Sequence, residues 1–269
     1  MSSANNTHYF KKSLTKSDIL KKPPAKDETL LGLPRKEVGI LIAPGATGKS
    51  FFVLNILLAS CELTKNHLVK NSLKVLYVSL EDNLDDIQRR MYSYKKALNL
   101  NETKLNENKE LNFEIICYKG ADRLISKKVE QSKNPLWKEF KQKIQDSNAD
   151  LVIIDTLIKT YEGYLENDNP DMSIVLSYFN EVAIEKDCSI LLLHHTNKGA
   201  INSDTQSQTD SRGASAIVDN SRWVVSLKKD EDESSIICQS VKTNFTASSN
   251  CTYNRRVEGT LIMETEDVA

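Results

Sequence analysis

The sequence predicts an α/β fold in which a mostly parallel β-sheet is flanked by helices, with short antiparallel strands at the C-terminal end. Three observations lead to this prediction. Short aliphatic and β-branched runs alternate with helical patterns between residues 38 and 195. These runs lack apolar–polar alternation, so we expect both faces of the sheet to be covered. Past residue 196 the helical patterns stop, and three strand-like runs follow a long polar loop.

Each element has its own signal in the chain. The five predicted parallel strands cover residues 38–43, 74–80, 113–118, 151–157 and 189–195. The predicted helices cover residues 49–61 and about 84–98, and two later helical regions end near residues 146 and 186. The predicted antiparallel strands are RWVVSLKK, SIICQSVKT and RRVEGTLIME. Alternation of this kind is typical of βαβ units in one sheet.

The chain is expected to divide into an arm and a domain. Residues 1–30 are polar, rich in lysine and without sustained periodicity, so we expect a flexible arm with a short helix around Leu14–Leu20. Residues 31–269 hold all the alternating runs and are expected to form one domain, which the total of 269 residues allows.

Charge and composition argue against several classes of protein. The 36 Lys and Arg residues balance 37 Asp and Glu, so the net charge of −1 disfavours a protein that coats nucleic acid by bulk charge, although a local basic channel stays open. The five cysteines form no C-x-x-C pair, and four histidines leave little for a zinc site. The longest apolar run, Phe51–Cys61, has about half the length of a membrane-spanning helix. We therefore expect a cytoplasmic protein without a membrane partner.

Residues 43–50 read Ala-Pro-Gly-Ala-Thr-Gly-Lys-Ser and match the phosphate-binding pattern G-x-x-x-x-G-K-[ST] except at Ala43. Gly45 and Gly48 are expected to permit turns that aim backbone N–H groups at phosphates, aided by the N-terminal end of the next helix. Lys49 would reach the β- and γ-phosphates of ATP, and the Ser50 hydroxyl would bind Mg²⁺. A chance Gly-Lys-Ser in a turn is the alternative, but the strand before and the apolar helix after favour a phosphate site. The predicted nucleotide-binding residues are Pro44, Gly45, Ala46, Thr47, Gly48, Lys49, Ser50 and Phe51.

Polar side chains at the ends of other strands are expected to converge on this loop, because ligands of open α/β sheets lie at the carboxyl ends of strands. Glu81 follows the second strand and is placed to activate the attacking water. Asp155 ends the fourth strand and fits an acid that holds Mg²⁺ directly or through water. His194 and His195 end the fifth, where a polar side chain could contact the γ-phosphate. Each residue also has an ordinary reading, such as a helix cap or a strand-end residue.

Five segments together resemble the RecA/DnaB-class motor ATPases and, within them, RepA-type plasmid replicative helicases. They are GLPRKEVGILIAPGATGKS, VLYVSLED, LVIIDTL, CSILLLHHTNKGA and SRGASAIVDNSRW. The likeness spans residues 32–223, and VKTNF and RRVEGTL extend it further. It implies a RecA-like fold, with ATP as substrate and Mg²⁺ as cofactor. The family commonly lacks the first glycine of the loop, so Ala43 fits it.

The resemblance implies a role for each matching position. Lys49 and Ser50 fall on the phosphate-binding lysine and the Mg²⁺ hydroxyl, and Asp155 falls on the acid that serves the metal. Glu81 falls on the catalytic glutamate, and His195 falls on the γ-phosphate sensor.

Three further matches concern the nucleotide and the subunit interface. Arg222 falls on the arginine finger that enters the neighbouring subunit's site, and Lys242 falls on a basic position near the same interface. Arg90 matches a helix arginine near the nucleotide. For Arg222, a solvated strand-start arginine or a salt bridge with Asp219 stays open as the alternative.

The resemblance also implies a homo-oligomer, expected as a hexameric ring, that surrounds single-stranded DNA. Loops at about 159–170 and 196–213 would contact the strand, with Lys159, Lys198 and Arg212 as the local cations. Polar loops without DNA contact are the alternative. A replication initiator or a primase is a candidate partner.

Two functions remain open on the sequence. The leading one is an ATP-dependent DNA helicase or translocase of the hexameric RepA type, which serves the replication of a plasmid or mobile element. The alternative is a RecA-like ATPase that acts as a nucleotide-gated DNA-binding or regulatory protein without unwinding activity.

Overall fold

The computed structural model describes residues 15–22, 25–101, 111–120, 122–196, 212–244 and 249–264. The strands are β1 (Glu28–Leu30), β2 (Leu33–Pro34), β3 (Val38–Pro44), β4 (Val75–Ser79), β5 (Phe113–Cys117), β6 (Ile125–Ser126), β7 (Leu151–Asp155), β8 (Tyr161–Glu162), β9 (Ser189–Thr196), β10 (Trp223–Lys229), β11 (Ser235–Thr243), β12 (Asn250–Arg255) and β13 (Leu261–Met263). The α-helices are α1 (Lys16–Leu20), α2 (Lys49–Ser60), α3 (Leu84–Ala97), α4 (Pro135–Ser147), α5 (Asn169–Lys186) and α6 (Arg212–Asp219). Short 3-10 helices cover Gln131–Lys133, Leu157–Lys159 and Val257–Gly259.

The main sheet has nine strands in the order β13-β12-β11-β10-β3-β9-β7-β4-β5. The six strands from β10 to β5 are mutually parallel, whereas β11, β12 and β13 add to β10 as an antiparallel edge. The predicted mixed α/β fold with a terminal antiparallel part is therefore confirmed. Because the central strands are parallel, the carboxyl ends of β3, β4, β7 and β9 lie along one edge.

Both faces of the sheet are covered, as the unbroken apolar runs indicate. Within β3, Leu41 packs into the layer that contains α2 and α3, whereas Ile40 and Ile42 pack into the layer that contains α4 and α5. Neighbouring strands alternate in the same way, with Ile153 on the first side and Val152 on the second. Burial on two faces favours β-branched and aliphatic residues at every position of a strand, which removes the period of two.

Two expectations about elements are wrong in detail. The helical region after β5 begins only at Pro135, because the Asn134 side chain accepts hydrogen bonds from the N–H groups of Leu136 and Trp137 and caps the helix there. The run RRVEGTLIME is not one strand: β12 ends at Arg255, and a 3-10 turn precedes β13. Gly259 lies in that turn at φ 83°, a left-handed conformation that extended strands do not contain.

The N-terminal segment is partly described. Helix α1 forms where a short helix was expected, and residues 1–14 lie outside the described part. Residues Glu28–Leu30 belong to β1, which pairs with β2, and Leu30 is buried in the core. The described residues contain no helix that is long and apolar enough to cross a bilayer.

Replacing Gly39 by alanine is expected to destabilise the domain by about 1–3 kcal/mol through overpacking. An added Cβ would lie 2.6 Å from a ring carbon of Trp223, which is fully buried on the neighbouring strand. Urea unfolding of Gly39→Ala beside the unchanged protein measures the effect. Gly45→Ala is the matched control, since a Cβ there meets no atom within 4 Å. Equal stability of the two variants would contradict the expectation.

Candidate nucleotide-binding site

The loop between β3 and α2 has the geometry of a phosphate-binding loop. β3 ends at Pro44 and α2 begins at Lys49, so the loop connects a buried strand directly to a helix N-terminus. Gly48 caps the helix at φ 112°, which only glycine adopts readily. Ala46, at φ 60°, takes the second left-handed position, whereas Gly45 is not among the residues with positive φ. The turn expected at Gly45 therefore lies one residue later, at Ala46.

Lys49 folds back over this loop. Its amine donates hydrogen bonds to the carbonyl oxygens of Ala43 at 3.0 Å and Pro44 at 3.4 Å. The Thr47 hydroxyl also donates to the Pro44 carbonyl, at 2.8 Å, and tightens the turn. Lys49 is only 6% exposed, and burial lowers the pKa of its amine to about 8, against the opposing attraction of Asp155 and Glu81.

His195 connects the lysine to the predicted catalytic glutamate. Its Nδ1 lies 2.8 Å from the Lys49 amine, and its Nε2 lies 3.5 Å from a Glu81 carboxylate oxygen. A charged amine can only donate, so Nδ1 accepts and the ring proton on Nε2 points toward Glu81. The structure thus brings Lys49 at the start of α2, Glu81 after β4 and His195 near the end of β9 into one chain of polar contacts.

The two adjacent histidines face different surroundings. His194 is buried, and its Nε2 lies 3.6 Å from a carboxylate oxygen of Glu166. Burial, together with the neighbouring His195 and Lys49, lowers the pKa of His194 to about 4. Of the two, His195 is the one that lines the nucleotide cavity.

The second strand-end acid lies where a metal ion is expected. Asp155 is 2% exposed, and one of its carboxylate oxygens accepts hydrogen bonds from the Tyr77 hydroxyl at 2.9 Å and the Ser50 hydroxyl at 3.4 Å. Burial raises the pKa of the Asp155 carboxyl, with added repulsion from Glu81, while the Tyr77 bond opposes the shift. A hydroxyl next to a carboxylate is an oxygen donor set of the kind Mg²⁺ prefers. The described residues hold no cluster of three or more His, Cys, Asp or Glu, so phosphate oxygens and water would complete such a site.

Glu81 does not cap helix α3, because another residue serves as the cap. The Asn83 side chain caps the helix by accepting from the Asp86 N–H, at 2.9 Å. Asp82 pairs instead with Arg90, whose guanidinium donates to both carboxylate oxygens. Arg90 also lines the nucleotide cavity.

The cavity has a volume of about 270 Å³ and includes two residues that the sequence analysis missed. Arg255, at the end of β12, donates from its guanidinium to the Thr47 carbonyl at 2.9 Å. Gly259 lies so close to Phe51 that a Cβ there would come within 2.9 Å of the ring. The full lining is Ala46, Gly48, Lys49, Ser50, Phe51, Glu81, Arg90, Asp155, His195, Arg255 and Gly259. The only signal for these two residues in the sequence is the pair of arginines in RRVEG. Because this pair is far from the phosphate loop along the chain, the sequence does not show that Arg255 contacts Thr47.

Two predicted residues lie at the other end of the sheet. Arg222 directly precedes β10, whose Val224 pairs with Ile40 near the start of β3, while the phosphate loop follows the end of β3. About six residues of strand, or about 20 Å, separate the two ends. The Arg222 side chain is 65% exposed, and its guanidinium lies 3.7 Å from Glu37 rather than pairing with Asp219.

Lys242 lies at the same end as Arg222. It pairs with Val224 across β10 and β11, and its amine donates to the carbonyls of Val218 and Asp219, which end α6. A cation at this position stabilises the carbonyl end of a helix. The structure therefore does not bring Lys242 into this chain's own nucleotide cavity.

The predicted DNA contacts are described only in part. Lys159 is exposed and ends the 3-10 helix that follows β7, on the same edge as the nucleotide cavity. Lys198 lies outside the described residues. Arg212 begins α6 instead of extending the preceding loop, and its side chain lies outside the described part.

The affinity for ATP is expected to fall as the pH rises through about 8, because phosphate binding requires the charged form of Lys49. With that pKa, the charged fraction of the amine drops about tenfold between pH 7 and pH 9, and the affinity should follow. Calorimetric titration with a non-hydrolysable ATP analogue at constant ionic strength measures this. Lys49→Ala serves as control and should bind weakly without this pH dependence. A flat profile in the unchanged protein would contradict the assignment.

Two solved structures share this fold. One is the structure of an ATPase domain, which superposes with a TM-score of 0.58 at 14% sequence identity and covers 86% of this chain and 86% of that chain. The other, the structure of a DnaB-like replicative helicase and its interactions with primase, gives a TM-score of 0.58 at 15% identity. That alignment covers 85% of this chain and 59% of the helicase, so the chain spans less than two thirds of that protein.

A family match extends the likeness from structure to sequence. The sequence profile of the AAA domain family matches residues 7–200, which contain the phosphate loop, Glu81, Asp155 and His195. The match covers most of the chain, and the fold agrees with RecA-like helicase ATPase domains. The chain therefore belongs to the AAA domain family.

Proposed function

We propose that this protein is the ATPase motor of a ring-shaped DNA helicase, which hydrolyses ATP between subunits and moves on single-stranded DNA. The observation that carries the proposal is the contact chain from Lys49 through His195 to Glu81, with Ser50 and Asp155 beside it. A phosphate-binding amine, a polar sensor and a carboxylate base thus meet at the edge of the sheet where nucleotides bind.

Each group has a defined task in hydrolysis. The backbone N–H groups of residues 45–49 and the Lys49 amine would hold the phosphates of ATP, and Ser50 and Asp155 would hold Mg²⁺. Mg²⁺, when bound, neutralises charge on the phosphate oxygens. Glu81 would accept the proton of the attacking water. Binding of phosphate by Lys49 would compete with its contact to His195, so His195 can respond to nucleotide occupancy.

The position of Arg222 supports a ring. Because it lies at the sheet end opposite the phosphate loop, Arg222 can reach a nucleotide only in the site of another copy. Contacts of one surface with a different surface of the next copy are head-to-tail, and they form a closed ring when the rotation between copies completes a full turn. We propose six subunits, from the resemblance to hexameric helicases, with Lys242 near the same interface.

The cellular role is proposed from the resemblance to RepA-type helicases. We propose replication of a plasmid or mobile element in the cytoplasm, with a replication initiator or a primase as partner. One structural relative was described together with its interactions with primase, which supports a test of that partner. The ATPase unit is proposed to begin at Glu28, where β1 joins the fold, with the preceding residues as an arm.

The first experiment is steady-state ATP hydrolysis with and without single-stranded DNA at low and moderate salt. We expect hydrolysis that DNA stimulates and that loses this stimulation as salt weakens phosphate contacts. Unwinding of a forked duplex would then test the helicase activity itself. Hydrolysis indifferent to DNA would favour the regulatory ATPase instead, and absence of hydrolysis in the unchanged protein would overturn both.

A further inference from the structure

A second cavity, of about 240 Å³, adjoins the nucleotide cavity, and Glu81 lines both. Its other polar lining residues include Tyr118, Lys119, Arg123 and Lys159. Of these, only Lys159 stands out in the sequence, since the segment after β5 carries no motif. The shared glutamate makes this cavity relevant to hydrolysis, because charge bound there lies beside the group that activates water.

The strand ends fix the shape of the cavity. The Tyr118 N–H donates to the Ser79 carbonyl at 2.8 Å, which ties the chain after β5 to the end of β4. The Leu80 N–H donates to the Asp155 carbonyl at 2.6 Å, which ties the chain after β4 to the end of β7. Lys159 follows β7 on the 3-10 helix. Three consecutive strands of the sheet therefore bring these side chains to one place.

The charge of the cavity favours an anion. Lys119, Arg123 and Lys159 supply three cations, against the carboxylates of Asp122 and Glu81. The side chains of Lys119 and Lys159 are exposed, and no described residue forms an ion pair with either amine. Arg123 donates to the carbonyls of Gly120 at 3.4 Å and Asp122 at 3.5 Å, so the backbone holds its guanidinium at the rim.

An aromatic ring lies among these cations. Tyr118 is half-buried, and its hydroxyl lies so close to Gly120 that an added Cβ would approach it to 2.2 Å. A glycine at residue 120 thus leaves room for the ring beside Lys119. Proteins that bind single-stranded nucleic acid without sequence preference combine two features. Cations contact the phosphate backbone, and aromatic side chains stack on the bases.

We propose that this second cavity binds the backbone of single-stranded nucleic acid and that its phosphate charge acts on Glu81 in the adjoining nucleotide cavity. This inference rests on the proposed motor function and adds Tyr118, Lys119 and Arg123 to its nucleic-acid contacts. A bound phosphate adds negative charge next to the Glu81 carboxylate, which lines both cavities. Occupancy by the strand therefore acts on the group that activates water and stimulates hydrolysis.

The test compares the unchanged chain with variants in its binding of a short labelled oligo-dT, followed by fluorescence anisotropy over a range of salt. We expect the double variant Lys119→Ala/Arg123→Ala to bind about tenfold more weakly, with a salt slope smaller by about 1.4, because two phosphate contacts of a single strand are lost. Tyr118→Leu should weaken binding about fivefold or more with an unchanged slope, since stacking releases no counterions. DNA stimulation of hydrolysis should fall in both variants.

The matched control is Lys138→Ala/Lys143→Ala, which removes two exposed cations from α4. It should keep the affinity and slope of the unchanged protein. The inference would be overturned if the control and the cavity variant lost equal affinity for oligo-dT, or if neither lost any. DNA stimulation of the unchanged protein would remain in either case, so the proposed motor function would stand. If the unchanged protein binds no oligo-dT, the motor function itself fails.

A final experiment distinguishes binding of a nucleic-acid strand from binding of free phosphate. Inorganic phosphate is added at the ionic strength of a chloride control, and we expect it to compete no better than chloride. Stronger competition by phosphate that disappears in Lys119→Ala/Arg123→Ala would identify a free-phosphate site and overturn the assignment to nucleic acid. Circular dichroism and thermal unfolding of each variant confirm that a lost signal does not come from a lost fold.

Discussion

Replacing Lys49 by alanine is expected to lower ATP hydrolysis by about 10²–10³-fold, the usual effect of removing one group that stabilises charge in the transition state. The fold should persist, because the substitution removes a buried amine whose charge burial disfavours. Hydrolysis is measured at saturating ATP, and thermal unfolding of the same preparation checks the fold. Lys138→Ala on α4 is the matched control and should hydrolyse ATP normally. Unchanged turnover in Lys49→Ala would contradict the site assignment.

Replacing Arg222 by alanine is expected to lower hydrolysis by about 10³–10⁵-fold, the range for arginine fingers. ATP binding should change little, because Arg222 lies at the sheet end remote from this chain's own phosphate loop. Arg89→Ala is the matched control: Arg89 is an exposed arginine that pairs with Asp86 in its own helix. Normal hydrolysis by Arg222→Ala would contradict a finger role.

Mixing two inactive variants tests whether Arg222 acts in a neighbouring subunit. Glu81→Gln subunits lack the base but keep the finger, whereas Arg222→Ala subunits keep the base. In a randomly mixed ring at equal amounts, about a quarter of the interfaces combine an intact site with an intact finger. Hydrolysis should therefore reappear on mixing. If the two variants exchange subunits and hydrolysis still does not reappear, Arg222 does not act in a neighbouring subunit.

The phosphate loop could be predicted because its signals are local. Lys49 and Ser50 lie next to Gly48, and the strand and helix on either side have apolar patterns of their own. The strand-end acids followed from one general rule, that parallel strands end at a common edge. The backbone conformation of the loop was predicted less well. The left-handed residue is Ala46 rather than Gly45, and the loop holds Ala46 in a conformation that alanine does not favour.

Arg255 shows where sequence reasoning stops. It lies more than 200 residues from Thr47 along the chain, yet its guanidinium donates to the Thr47 carbonyl. Its position depends on β12 joining β11, β11 joining β10, and β10 joining β3, so the contact is a consequence of the whole sheet order. The same holds for the cavity beside Glu81, where the ends of three strands meet.

By itself, the sequence determined the α/β class, the strand–loop–helix around Lys49 and the acids at the strand ends, because each depends on residues close together in the chain. Only the tertiary structure decided that Arg255 reaches the Thr47 carbonyl and that Arg222 lies at the far end of the sheet from its own phosphate loop. The physical reason is that strand register and strand order fix which side chains meet. Strand register and strand order arise from packing between residues that are distant in sequence.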